Sequence, residues 1–140
     1  MAIFGFGATY GDDGDVSGDF ILRGVACIGY TPREAPSLHT LLRHIKVGDV
    51  VYLKGYPVNQ GLIIKAVGVV VEDKVKKRED LGWGVSVRWV WTRGDRRLGQ
   101  IKDKYNVHSF TLYEEYNPEI QKEVLHLLLR GKMGRRSRRS

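Results

Sequence analysis

Two neighbouring stretches, LIIKAVGVVVED (62–73) and GWGVSVRWVW (82–91), do most to limit the fold. The first is a long β-branched run, apolar on both faces, and Gly68 inside it marks a bulge or a barrel bend. In the second, the odd positions Trp83, Val85, Val87, Trp89 and Trp91 are all apolar, while Gly84, Ser86, Arg88 and Val90 alternate with them, which is the period of a strand. VKKRED between them reads as a charged connection. VVYLKGY (50–56), entered through the turn Val47-Gly48-Asp49, and SFTLYEE (109–115) read as further strands, as do AIFGFGATY (2–10) and VACIG (25–29).

Helices are fewer. One is predicted from Ser17 to Arg23, with Ser17 as N-cap and Gly24 as the stop. Ser37 caps a second, SLHTLLRHI, whose Leu38, Leu41, Leu42 and Ile45 share one face. Asn117-Pro118-Glu119 opens a third that runs to about Leu129 and ends at Gly131. Long, glycine-curved strands with few helices predict an α+β fold, a small and partly closed curved β-barrel flanked by short helices. Residues 1–130 read as a single domain and residues 131–140 as a basic, disordered tail.

The charge is uneven. Of a formal net charge of +7, the last ten residues, GKMGRRSRRS, carry five, which leaves +2 on residues 1–130. Such a tail reads either as a clamp on nucleic-acid phosphates or as a solvated solubility tail. No run of 18 or more apolar residues is present, so no membrane span is expected. The start, MAIFGFGATYG, lacks the basic opening and long apolar run of a secretory signal, and with the single Cys27 this predicts a reduced, cytoplasmic setting.

Two familiar loops can be traced in GFGATYGDDGDVSGDF (5–20), and both fail. Counting Asp13 as the first position of a calcium loop, the bidentate glutamate falls on Gly24. The glycines of GFGATYG are spaced two and four apart and sit within a strand, unlike a dinucleotide fingerprint. No catalytic set and no metal site stand out. His39 and His44 lie five apart and share no helix face, His108 and His126 are isolated, and Cys27 sits in an apolar strand, so all read as structural or surface residues. Aromatic and basic residues do gather near strand ends, namely Tyr10, Tyr30, Tyr56, Trp83, Trp89 and Trp91, with Arg88, Arg93, Arg96 and Arg97 nearby. Aromatic faces stack on nucleobases and arginines pair with phosphates or base edges; tryptophans at odd positions equally suit a barrel interior.

The ordered set GVACIGY (24–30), a short helix, IKVGDVVYLK (45–54), LIIKAVGVVVED (62–73) and GVSVRWVW (84–91) resembles the EVE domain. That domain belongs to the PUA-like group with the YTH and ASCH domains. The family's "GIGW"-type strand, "KPGD" turn, "GIGxV" strand and Val/Arg/Trp-rich strand correspond to CIGY, KVGD, AVGVV and VRWVW. The resemblance implies a β-barrel whose concave surface accepts a flipped-out base, particularly a modified one such as a modified cytosine, in an aromatic pocket. Tyr30 takes the place of the family's tryptophan, Trp89 and Trp91 match the later tryptophan strand, Ser86 and Arg88 alternate with them, and Thr9 and Tyr10 form the rim. The backbone would be held by Arg93, Arg96, Arg97 and Lys102 of the basic loop and by Arg135, Arg136, Arg138 and Arg139 of the tail. No cofactor is required. The family's association with restriction-like systems favours DNA over RNA and a nuclease partner. Two other readings stay open: a binding protein for a free nucleotide or small ligand in the same pocket, and an ASCH-like amidohydrolase using Lys65 or Lys54 with Glu72.

Overall fold

The computed structural model describes residues 1–11, 14–57, 59–104 and 106–139, with residues 134–139 as backbone alone. Asp13 of the acidic loop and the side chains of Arg135, Arg136, Arg138 and Arg139 lie outside the described residues. In chain order the elements are β1 (Ile3–Gly7), β2 (Thr9–Tyr10), β3 (Gly14–Asp15), α1 (Ser17–Arg23), β4 (Val25–Ile28), α2 (Pro36–His44), β5 (Val50–Gly55), β6 (Leu62–Lys77), β7 (Trp83–Trp91), β8 (Arg96–Gly99), β9 (Leu112–Glu114) and α3 (Pro118–Arg139). The fold is α+β and strand-rich. No helix among the described residues is long and apolar enough to cross a membrane.

One seven-stranded sheet has the order β4-β7-β6-β5-β1-β9, with β8 also paired to β6. Among the described residues the β1–β5 ladder is parallel and the others are antiparallel. β6 is the spine. Its early residues pair with β5 on one edge and β8 on the other, and its later residues pair with β7. The apolar character of LIIKAVGVVV follows, because both faces of β6 are covered. One face builds a core with Phe20 of α1 and Leu42 of α2; the other packs under Ile120, Val124, Leu127 and Leu128 of α3. The first core joins Val25, Ala26 and Ile28 of β4 to Leu112 of β9, the two ends of the sheet order, so the sheet curls. Among the described residues no ladder links β4 to β9, and the sheet stays open.

Several expected boundaries move. The VKKRED connection is strand through Lys77, and the loop after Trp91 contains β8. α1 is preceded by Val16 at the cap position, and the capping acceptor is Asp15, whose Oδ1 takes hydrogen bonds from the Ser17 amide (2.9 Å) and hydroxyl (2.6 Å). α2 begins at Pro36, a residue before the expected Ser37 cap. Asn117 does cap α3, accepting from the Glu119 and Ile120 amides. Gly131 does not end that helix. A Cβ there would come within 2.6 Å of the Val90 carbonyl oxygen, so the glycine serves close approach of α3 to β7.

Two bulges re-aim side chains. Val67 pairs with Trp91 and Gly68 with Trp89, which leaves Val90 as the extra residue in β7. Leu53 pairs with Ala66 and Lys54 with Ile64, which leaves Lys65 as the extra residue in β6.

Candidate functional site

Two neighbouring cavities, the two lobes of the candidate cleft, share Thr9 of β2. One lobe, about 560 Å³, is lined by Thr9, Tyr10, Gly11, Gly29, Tyr30, Asp80 and Thr111. The other, about 550 Å³, is lined by residues that include Thr9, Lys54, Tyr56, Lys65, Asp95 and Ser109. Thr9 is common to both.

The aromatic lobe is built by short-range packing. The Tyr10 ring lies against Gly29, where a Cβ would sit 3.3 Å from it, and edge-on to Phe20 at 5.9 Å. Its hydroxyl donates to the Leu81 carbonyl at 2.8 Å, and burial holds its pKa well above the ordinary value. Tyr30 lines the lobe and remains 47% exposed. Its backbone is fixed by buried His39, whose Nε2 donates to the Tyr30 carbonyl at 2.6 Å and whose ring meets Trp83 edge-on. The structural reading of His39 therefore holds, in service of the cleft.

The lysine lobe rests on a buried polar network. Tyr52 donates to Glu115 Oε1 at 2.5 Å, which leaves Tyr113 to donate to the Tyr52 oxygen at 2.7 Å. His108 Nε2 lies 3.0 and 3.1 Å from the two Glu115 oxygens, and the Asn117 amide donates to Oε2 at 3.1 Å. All four side chains are at most 3% exposed. Burial first, with the neighbouring Tyr113 and Glu115, drives the Tyr52 pKa far up, so the phenol stays protonated. Above this floor the Lys54 amine sits 5.8 Å from the Tyr113 ring centroid. Across the lobe, Lys65 holds Asp15 Oδ2 at 2.7 Å. Burial alone would raise the Asp15 pKa; bonds from Lys65 and Ser17 outweigh it and hold the carboxyl below its usual range.

Of the residues singled out in the sequence, Thr9, Tyr10 and Tyr30 come together here. The tryptophans do not. Trp89 is 6% exposed in the core, and its indole N–H is shared between the carbonyls of Phe20 (3.1 Å) and Val25 (3.2 Å). Trp91 is half-buried on the α3 face, because the bulge at Val90 turns it away from Trp89. Ser86 is engaged by Arg78 Nη2 at 3.1 Å, and Arg88 is exposed; neither lines the cleft. Arg93 and Lys102 are exposed, Arg96 pairs with Glu123 at 2.6 Å and Arg97 reaches Gln60 at 3.2 Å. Of these only Arg93 shares the β7–β8 loop with Asp95, which borders the lysine lobe. Glu72 pairs with Lys76 at 2.7 Å on the exposed part of β6 and lines neither lobe, whereas Lys54 and Lys65 both line the lysine lobe. Cys27 is fully buried, and burial pushes its thiol up to about 12, which makes it inert core.

The Tyr52–Tyr113–Glu115–His108 network escaped the sequence reading. Its one local signal is the alternation in SFTLYEE, which places Tyr113 and Glu115 on the same face. In comparisons with protein-family models and with curated proteins, nothing matches this chain.

Proposed function

We propose that this chain is a PUA-like nucleic-acid-binding module of the EVE type that takes one unstacked base, such as a modified cytosine in DNA, into the Tyr10–Tyr30 lobe. The observation that carries this reading is the pairing of lobes: tyrosine faces on one side of Thr9 and amines on the other suit a base and its charged backbone. The four ordered motifs fall on β4, the turn before β5, β6 and β7, and the curl that joins β4 and β9 in one core is the curvature a partly closed barrel needs. Stacking on a tyrosine contributes about 1–3 kcal/mol per base, enough to offset much of the few kcal/mol that unstacking costs. Exposed Arg93 lies on the β7–β8 loop and exposed Lys102 on the segment between β8 and β9, and each of these segments lends a residue to the lysine lobe, Asp95 and Ser109, so both add sequence-independent affinity. The basic tail would act likewise, and a nuclease partner would supply any cleavage. The reading calls on no cofactor.

The test is a fluorescence-anisotropy titration with DNA and RNA oligonucleotides carrying cytosine, 5-methylcytosine, 5-hydroxymethylcytosine or N6-methyladenine at one position. A preference for one base that persists at high salt is expected, and Tyr30→Ala should weaken binding to that base by about 5- to 150-fold. Trp91→Ala should leave the preference intact. Binding that ignores the base and collapses with salt, or a preference that survives Tyr30→Ala, would overturn the assignment. Mononucleotides that compete as well as oligonucleotides would shift the reading to a free-nucleotide binder.

A further inference from the structure

Lys54 is 7% exposed, and among the described residues no carboxylate lies within ion-pair distance of its amine. A lysine this buried normally has a counter-ion, because an isolated charge out of water is costly. What surrounds it instead is space. The amine sits above the Tyr113 ring, and Lys54 lines the lobe.

The charged and titratable groups around this amine divide by element. On β6 the bulge leaves Lys65 unpaired in the ladder and turned into the same lobe. On β3 Asp15 is occupied by Lys65 and by Ser17 of α1. Asp95 on the β7–β8 loop is exposed at the rim, Tyr56 lines the wall, and Tyr113 of β9 lies beneath. Ser109 adds a hydroxyl. Two amines, a serine and a phenol thus line open volume; Lys65 is held by Asp15, and the Lys54 amine lacks an anionic partner among the described residues. This donor set matches the oxygens of a tetrahedral oxyanion.

We infer that the lysine lobe is a phosphate subsite, which takes the phosphate group of the nucleotide whose base occupies the Tyr10–Tyr30 lobe. The identity of the base-bearing ligand rests on the base-binding reading above; the phosphate site itself rests on Lys54. Phosphate could arrive as the diester of a strand or the monoester of a free nucleotide, and both present the same oxygens.

The pH dependence follows from the same geometry. Burial, and secondly Lys65, lower the Lys54 pKa to about 8 in the empty cleft. A bound phosphate favours the charged amine and raises that pKa, so binding takes up protons near pH 8. As pH rises through this value the empty site loses its charge and the phosphate contribution falls.

Calorimetric titrations of the full chain with a nucleoside, its 5′-monophosphate, a dinucleoside phosphate and inorganic phosphate test the proposal. The 5′-monophosphate should bind about tenfold or more tighter than the nucleoside, with proton uptake revealed by buffers of different ionisation enthalpy. Lys54→Met should bring the two ligands to within about twofold while leaving the nucleoside's own affinity in place. Lys54→Arg should keep the phosphate advantage but lose the proton uptake, a readout that a packing defect would not produce. A dinucleoside phosphate as tight as the monophosphate would point to a strand; a weaker one, to a free nucleotide. If inorganic phosphate binds through Lys54 and persists in Tyr30→Ala while no nucleoside binds, the phosphate site stands and the base reading falls. Equal affinity of nucleoside and monophosphate in the wild type, or a phosphate advantage that survives Lys54→Met, would overturn the inference.

Discussion

Replacing Trp89 with alanine is expected to lower folding stability by about 3–5 kcal/mol, the range for truncating a large buried aromatic. The side chain fills the core between α1 and β4, and the substitution also strips the Phe20 and Val25 carbonyls of their shared N–H donor. Native domains are stable by only about 5–15 kcal/mol, so much of this chain's margin would go. The EVE-domain resemblance alone would imply the opposite pattern, lost base recognition with an intact fold. Urea unfolding separates the two: a large drop in the midpoint is expected for Trp89→Ala and little change for Tyr30→Ala. A Trp89→Ala chain that unfolds at the wild-type midpoint would show that the indole is not part of the core.

The second large effect is expected at Glu115. Its carboxylate accepts from Tyr52, His108 and the Asn117 amide, and all of these lie away from water or nearly so. Glu115→Ala leaves a phenol and an imidazole in the interior without an acceptor, at about 3–5 kcal/mol by analogy with broken buried pairs. Glu115→Gln keeps one acceptor oxygen and should cost less. Tyr113→Phe should cost about 1 kcal/mol, since the Tyr113 hydroxyl only donates to an oxygen whose own proton is already engaged. Wild-type behaviour of Glu115→Ala in denaturant would mean that the network contributes nothing to stability. Because Tyr113 lies beneath Lys54, a collapsed network should also disturb the lysine lobe, so phosphate binding is best measured alongside.

The parts of the fold governed by local chemistry were legible in the sequence. Gly24 ends α1 in the left-handed conformation (φ +66°), Asn117 caps α3, and the alternation through residues 83–89 places Val85, Val87 and Trp89 in one core. The errors begin where a strand gains one residue. A period of two carries no mark of a bulge, so Trp89 and Trp91 read as one face although Val90 divides them. Lys65 reads as an ordinary strand lysine until the ladder shows it to be the extra residue, turned toward the same cavity as Lys54. The aromatic rim was within reach because Thr9, Tyr10 and Tyr30 sit at strand ends. The polar floor was not, since it joins Tyr52 to residues more than fifty positions later in the chain.

The place of β1 between β5 and β9 has a consequence for the order in which the chain can assemble. β1 pairs in parallel with β5, whose residues lie 47 positions later in the chain, and its other edge waits for Leu112–Glu114. Loop closures of that length are slow steps, so β1 is completed late although it is made before both its partners. Until β9 arrives, the backbone of Phe4, Gly5 and Phe6 is an uncovered edge flanked by apolar side chains, the kind that recruits strands from other molecules. β9 is thus a clasp made after both β1 and β5, and a nascent chain stalled before it would carry an adhesive edge.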